Sequence, residues 1–199
     1  LGWACWKTYV GRPEGNVARS LARTSLGNGL SAAEHHEDAL TVREAELAMR
    51  RRLDAPDDHI LVVQNNLAIT YSNLGRHEEA SPIYREAYSG YFRLVGAEHE
   101  NTILLANNYA DSLTSLERFE EAKALLRKTM PVARRVLGES ELMVRMKWIY
   151  GQALYRDAAA TLDDLREAVT TLEEIYGTTR RVFGGQHPLT GGIEHNLQD

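Results

Sequence analysis

The stretch NNLAITYSNLGRHEEA at residues 65–80 is followed, 42 residues further along, by NNYADSLTSLERFEEA at residues 107–122. The Asn-Asn pair and the Glu-Glu-Ala run occupy the same places in both stretches. Self-similarity at a fixed period of this length is the signature of a repeat architecture. We therefore expect a chain assembled from copies of one supersecondary unit.

Weaker copies extend the pattern in both directions. Residues 134–138 recur as residues 180–184, displaced by 46, and residues 26–27 match residues 67–68 at a displacement of 41. The extra residues of the last copy fall in residues 157–164. We predict four repeats, at about 17–58, 59–99, 100–140 and 141–187.

The apolar spacing inside each repeat is helical. In the second repeat one apolar stripe runs from Val63 to Leu74, and a second runs from Ala80 to Leu94 after a break at Gly75. No stretch has the period-2 alternation with β-branched residues that is typical of strands. We predict an all-α fold in which each repeat is a pair of antiparallel helices.

Composition narrows the possible functions of this chain. The 199 residues carry a formal charge of -5, which counts against a dedicated nucleic-acid binder. The single Cys5 excludes an internal disulfide and fits a reducing compartment, so we expect a cytoplasmic location. Neither a membrane-spanning run nor a signal peptide is visible, and no membrane partner is expected.

Motifs that carry chemistry are missing from the sequence. The nucleophile elbow, the phosphate-binding loop and the dinucleotide fingerprint do not occur. His35-His36 resembles a metal cluster only superficially, because the residue four places after His36 is Leu40 and not a second ligand. We expect no enzyme activity, no cofactor and no metal.

The second repeat resembles the tetratricopeptide pattern. Its Leu67-Ala68, Tyr71, Gly75 and Ala80 stand where that family places its small and aromatic residues. The 42-residue period, the Asn-Asn-Leu-Ala opening and the Gly-Gly-Gln-His-Pro linker at 184–188 are similar to kinesin light chain repeats. The resemblance implies a right-handed α-solenoid, the tetratricopeptide-like superhelix, over residues 17–187.

Two residues depart from the family pattern in the third repeat. Glu117 stands where the family usually has Gly, and Pro131 interrupts the predicted second helix. Pro131 lacks a backbone donor, so we expect it to kink that helix.

In this family the first helix of each pair lines a concave groove, and the resemblance implies which residues face it. The first repeat offers Leu21 and Thr24, and Val62 joins the set in the second. The predicted peptide-binding residues are mostly amides, with an apolar pocket from Trp148 and Tyr155 at one end: Asn65, Asn66, Ile69, Asn73, Asn107, Asn108, Asp111, Arg145, Trp148, Gln152 and Tyr155. Carboxamides both donate and accept, so they can hold an extended main chain without reading its sequence.

Alternatives stay open for several of these residues. Asn side chains on the first helices could cap or bridge neighbouring repeats, and Trp148 could belong to the core between repeats. Arg50-Arg51-Arg52 ends a predicted second helix, where the helix dipole favours cations, although a basic ridge for an acidic partner is the alternative.

The prediction for function is a non-catalytic scaffold or adaptor that binds a linear peptide of a partner protein and is monomeric. The alternative is a structural or self-assembly module, or a regulatory repeat segment of a larger multidomain protein. Outside the repeats, residues 1–16 form either a cap or the end of another module. Residues 188–199 look like the start of a truncated fifth repeat.

Overall fold

The computed structural model describes residues 2–198. Over those residues the chain forms ten helices and no strand: α1 (Gly2–Tyr9), α2 (Val17–Ala32), α3 (His36–Arg52), α4 (Asp57–Asn73), α5 (His77–Val95), α6 (Glu100–Ser115), α7 (Phe119–Leu137), α8 (Glu141–Tyr155), α9 (Leu162–Val182) and α10 (Pro188–Gln198). Helices α2 to α9 follow one another as pairs joined by short links. The predicted all-α class of repeated helix pairs is confirmed.

Side-chain caps fix where several helices begin. The Asn16 side chain accepts a hydrogen bond from the backbone N–H of Arg19 at 3.1 Å and starts α2. At the start of α9, Thr161 Oγ1 accepts from the backbone N–H of Asp164, and the Asp164 carboxylate accepts from the backbone N–H of Thr161. This reciprocal capping box satisfies donors that the first helical turn leaves open.

The links inside the first three pairs share one backbone geometry. Gly75 adopts a positive φ of 72°, and Glu34 and Glu117 adopt φ values of 61° and 58° at the equivalent places. In the third pair the N–H of Arg118 donates to the carbonyl of Leu113 at 2.9 Å, which closes the helix end in the manner of a Schellman motif. The turn therefore keeps its shape even where glycine is absent.

Glu117→Gly is expected to stabilise the chain by about 0.5–1 kcal/mol. A side chain in the left-handed region is strained by roughly 1–2 kcal/mol, and glycine removes that strain at some cost in unfolded-state entropy. The reciprocal Gly75→Glu variant should be destabilised by a similar amount. Urea unfolding of both variants measures the two values, and a Glu117→Gly protein no more stable than the parent would contradict the strain argument.

The fourth pair has a longer link, residues 156–161, that is tied to the preceding pair. Asp157 accepts a hydrogen bond from the Lys123 ammonium at 3.0 Å and another from the backbone N–H of Ala159 at 2.9 Å. Lys123 itself is buried in α7. The segment predicted to hold the extra residues, 157–164, thus covers most of this link and the first turn of α9.

A proline lies inside α7 without ending it. The helix runs from Phe119 to Leu137 and includes Pro131, which is exposed and has no N–H to donate to the preceding turn. Pro82 sits in the same way inside α5.

The helices divide into two compact units, residues 2–94 and 95–198. In the first unit a buried apolar cluster forms between α3 and α4 from Leu40, Leu47, Val63 and Leu67. In the second unit one cluster joins α6, α7, α8 and α9, and another joins α8, α9 and α10; its buried members are Val144, Leu172, Ile175, Leu189 and Ile193. Each helix pair therefore buries its stripe against the next pair of its own unit.

Helix α1 packs against α2. The guanidinium groups of Arg19 and Arg23 lie 5.9 and 5.3 Å from the centre of the Trp6 ring. Gly2 comes so close to α2 that a Cβ atom at this position would lie 2.6 Å from the Ser25 carbonyl oxygen. The role of residues 1–16 as a cap stays a prediction.

Candidate functional site

The predicted groove residues of the first unit lie on α4 and differ in exposure. Asn65 is buried, Asn66 and Ile69 are half-buried, and Asn73 is exposed. The carbonyl of Asn66 accepts a hydrogen bond from Thr70 Oγ1, while its side chain lines a pocket of this unit. Among the predicted α4 residues, Asn66 is thus the amide that lines this pocket.

The corresponding amides of the second unit lie side by side on α6. Asn107 is buried and its Nδ2 donates to Oδ1 of Asn108 at 3.2 Å. Asn108 is half-buried, and Asp111, one turn further along, is exposed. The two adjacent amides are therefore hydrogen-bonded to each other through one N–H of Asn107 and the side-chain oxygen of Asn108.

Two of the residues predicted on α8, Trp148 and Gln152, are hydrogen-bonded to helix α10. The indole N–H of Trp148 donates to Oδ1 of Asn196 at 2.6 Å, and Nε2 of Gln152 donates to the same oxygen at 3.1 Å. Gly192 allows α10 to approach this closely, because a Cβ atom there would lie 2.6 Å from the Trp148 ring. Trp148 is thus packed between helices, which matches the alternative that placed it in the core between repeats.

The other two α8 residues have separate surroundings. Arg145 is exposed and pairs with Glu141 of the same helix at 2.9 Å. Tyr155 is half-buried against the apolar clusters of the second unit. Asn196, which links Trp148 and Gln152, was not among the predicted residues, although the family-like start of a fifth repeat at residue 188 was a signal for a helix at this place.

A pocket of about 600 Å³ opens in the first unit between α2, the C-terminal half of α3 and α4. Four residues predicted for the groove from the resemblance line it: Leu21, Thr24, Val62 and Asn66. Helix α3 contributes further lining residues that were not predicted, Glu46 and Arg50 among them. The resemblance implies groove positions only on the first helix of each pair, and α3 is a second helix.

Glu46 is a fully buried carboxylate at the base of this pocket. Its Oε1 accepts a hydrogen bond of 2.5 Å from the Thr24 hydroxyl and lies 3.8 Å from the Arg50 guanidinium. Burial lowers the pKa of the nearby Arg43, and the charge of Glu46 opposes that shift. The first unit therefore holds a small network of buried charges beneath the pocket.

Arg43 ties three helices of the first unit together. It is buried on α3, its Nε donates to Thr70 Oγ1 on α4 at 3.1 Å, and its Nη2 donates to Asn28 Oδ1 on α2 at 2.7 Å. Its guanidinium packs against Gly27 of α2, where an added Cβ atom would lie at the ordinary contact distance of 3.4 Å from its central carbon. This arginine holds α2 and α4, the two walls of the pocket, in register.

Within residues 2–198, no three His, Cys, Asp or Glu side chains come together as a metal site would require. Among the helices of that same range, none combines the length and the apolar character needed to cross a membrane.

Paired helices with buried small residues and a pocket lined from the first helices define a helical-repeat protein. The family model described as "Tetratricopeptide repeat" matches residues 18–91 and 59–135. The chain belongs to the tetratricopeptide repeat family. The fold is that of a tetratricopeptide repeat scaffold for protein interactions.

Solved structures share this fold at low sequence identity. A Podosopora anserina protein described as a kinesin light chain with nearly identical TPR-like repeats is 18% identical with a TM-score of 0.72, covering 94% of this chain and 85% of that one. BtubC (BKLC) from P. vanneervenii is 16% identical with a TM-score of 0.70, covering 99% of this chain and 80% of that one. No curated protein matches the sequence.

One further similar structure contains a bound factor. A Rap protein complexed with Competence and Sporulation Factor is 15% identical with a TM-score of 0.63, covering 97% of this chain and 54% of that one.

Proposed function

We propose that the chain is a non-catalytic scaffold or adaptor that binds a linear peptide of a partner protein along the concave face of its first helices. The observation that carries the proposal is the open pocket of the first unit, which is lined by groove positions of α2 and α4. Amide side chains at Asn66 and Asn108 support it, because carboxamides can donate to and accept from a peptide main chain. A Rap protein of similar fold is seen with Competence and Sporulation Factor bound.

The surroundings of Trp148 favour the first unit as the main site of peptide binding. The indole is hydrogen-bonded to Asn196 and covered by α10, so it offers a partner less surface than the residues around Leu21 do. The remaining parts of the proposal are that the chain acts as a monomer in the cytoplasm and uses neither cofactor nor metal.

Replacing both Asn66 and Asn108 by alanine is expected to weaken the binding of a display-selected peptide about tenfold. Each lost main-chain hydrogen bond contributes on the order of 0.5–1.5 kcal/mol, and a tenfold change in Kd corresponds to about 1.4 kcal/mol. Isothermal titration with the full chain measures the change. Gln186→Ala, an exposed amide in the link before α10, is the matched control. Equal affinities of the double variant and the parent would refute the role of the two amides.

A further inference from the structure

A second pocket of the first unit lies between α4 and α5 and has a volume of about 350 Å³, a size that suits a small molecule. On α4 it is lined by Asp57, Leu61 and Gln64, among others, whereas Val62 and Asn66 of the same helix line the pocket described above. With about 3.6 residues per turn, these two sets point to opposite sides of α4. This second cavity, the α4–α5 pocket, therefore lies outside the groove positions of the first helices.

A close contact between α4 and α5 lies in the middle of the α4–α5 pocket. A Cβ atom added at Gly90 would lie 2.5 Å from Cδ2 of Leu61, so α5 presents bare backbone to α4 at this point. The short link of residues 74–76 makes the two helices antiparallel. Residues that precede Leu61 on α4 are therefore level with residues that follow Gly90 on α5.

Charged side chains line the α4–α5 pocket at both ends. At one end Asp57, one turn before Leu61, is level with Arg93, one turn after Gly90. At the other end Glu86 lies one turn before Gly90. The two ends are about 10 Å apart, because Glu86 and Arg93 are two helical turns from each other. Among the described residues, none of the three charged groups forms an ion pair.

A buried amide completes the Glu86 end of the pocket. Gln64 lines the pocket although it is only 2% exposed. Its Oε1 is closed to solvent and makes no hydrogen bond to the described residues, which leaves the NH₂ group as the part of the amide that can face an occupant. The helix dipole accounts for a carboxylate such as Asp57 at the start of a helix, but it does not account for a buried amide that lacks a partner.

A basic amino acid carries the complementary groups in the matching order. Its carboxylate can pair with Arg93 and its α-ammonium with Asp57 at one end, while the cation of its side chain extends towards Glu86 at the other. The aliphatic stem of lysine or arginine favours apolar surface, and here it would cover Leu61 and the bare backbone at Gly90. The two carboxylates and one guanidinium of the pocket are thus matched by the two cations and one carboxylate of the ligand.

We propose that the α4–α5 pocket binds a free basic amino acid, lysine or arginine, with its head group between Asp57 and Arg93 and its side-chain cation at Glu86. The pocket lies on the opposite side of α4 from Asn66, so the inference goes beyond the proposed peptide binding. Either one can fail without the other.

Four small probes test the three charged contacts one at a time. In ¹H–¹⁵N spectra of the full chain at constant ionic strength, L-lysine should shift the resonances at the start of α4 and in the second half of α5, with saturation. L-norleucine lacks the side-chain cation, L-lysinamide lacks the carboxylate and N-acetyl-L-lysine lacks the α-ammonium, so each should bind about fivefold more weakly. Equal binding of lysine and norleucine, or shifts confined to other helices, would overturn the proposal. N-acetyl-lysine bound as tightly as lysine would also overturn it, because the ligand would then be the C-terminal residue of a peptide.

Two variants test the two ends of the pocket separately. Glu86→Gln should weaken lysine binding about fivefold and leave norleucine binding unchanged, while Glu78→Gln, the same change at an exposed position of α5 outside the pocket, should alter neither. Arg93→Gln should weaken lysine about fivefold and leave lysinamide unchanged, with the exposed Arg85→Gln as its control. Equal losses of lysine and norleucine in Glu86→Gln, or unaltered lysine binding in both pocket variants, would contradict the assignment.

Discussion

Glu46→Gln is expected to lower the free energy of unfolding by about 3 kcal/mol. The carboxylate is fully buried, accepts the Thr24 hydroxyl at 2.5 Å and lies 3.8 Å from Arg50. Burial lowers the pKa of Arg43, which is also closed to solvent, and Glu46 opposes that shift. Neutralising one member of a buried charge network typically costs about 3–5 kcal/mol because the opposite charges stay behind uncompensated, and the retained amide oxygen of Gln reduces this somewhat.

Glu44→Gln is the matched control for this prediction. Glu44 lies two residues earlier on α3, is exposed and accepts the hydroxyl of Tyr71 at 2.9 Å. The same chemical change at an exposed position should alter stability by no more than about 0.5 kcal/mol. Urea unfolding followed by circular dichroism compares the two variants. Similar losses from both would show that the buried charges beneath the pocket do not stabilise the fold.

Lys123→Met is expected to destabilise the second unit by about 2 kcal/mol. Lys123 is buried in α7, and its ammonium donates to Asp157 in the link before α9 and pairs with Glu120 at 2.5 Å. Methionine keeps the apolar volume but leaves the Asp157 carboxylate without its charged donor, and a charge-assisted hydrogen bond contributes about 1.5–3 kcal/mol. Lys128→Met, an exposed position of the same helix, should stay within about 0.5 kcal/mol of the parent. A Lys123→Met protein as stable as this control would refute the tie between α7 and the link.

The Lys123–Asp157 contact also predicts how stability depends on pH. The backbone N–H of Ala159, and after it the Lys123 ammonium, lower the pKa of Asp157 below its ordinary value. A carboxylate with a lowered folded-state pKa stabilises the fold above its unfolded-state pKa of about 4, and loses that contribution as the pH falls through the lower folded-state pKa. We therefore expect stability to fall below about pH 4, and to fall less steeply in Asp157→Asn.

The same contact acts in the opposite direction at alkaline pH. Burial lowers the pKa of Lys123, but the hydrogen bonds to Glu120 and Asp157 outweigh burial, and its pKa is raised overall. A group with a raised folded-state pKa contributes its full stabilisation below the unfolded-state pKa of about 10.4. That contribution is lost as the pH rises through the folded-state pKa. Thermal unfolding of the parent between pH 3 and 11 should thus show a loss of stability at acid pH and another at alkaline pH. The stability of Lys123→Met should depend less on pH. Superimposable profiles for the two proteins would contradict this.

The helix pairs could be predicted from the sequence because the signals that specify them are local. The stripe from Val63 to Leu74 and the break at Gly75 each involve only a few neighbouring residues. The 42-residue repetition presents the same signals a second time and so strengthens the prediction. The positive φ of Glu117 has a different origin, because its side chain gives no local signal for this conformation. The packing of two helices imposes the turn, so a residue other than glycine accepts the strained conformation.

The surroundings of the candidate site depend on residues far apart in sequence, and for this reason they could not be predicted. Trp148 is hydrogen-bonded to Asn196, 48 residues away, and only the position of α10 determines that contact. Arg50 was assigned to the helix dipole because it ends a predicted helix, yet it lines the pocket of the first unit and lies 3.8 Å from the buried Glu46. Periodicity indicates that such a residue lies at the end of α3, but it does not indicate what the neighbouring helices place opposite it.

The central claim is that the first helices of the pairs bind a linear peptide. A titration of the ¹⁵N-labelled full chain with a display-selected peptide tests it most directly. We expect the largest chemical-shift changes on α2 and α4, around Leu21, Thr24 and Asn66, with smaller changes on α6 and little change on α5, α7 and α9. Shift changes confined to α5, α7 and α9 would contradict the account, as would a display screen that yields no peptide bound by the chain.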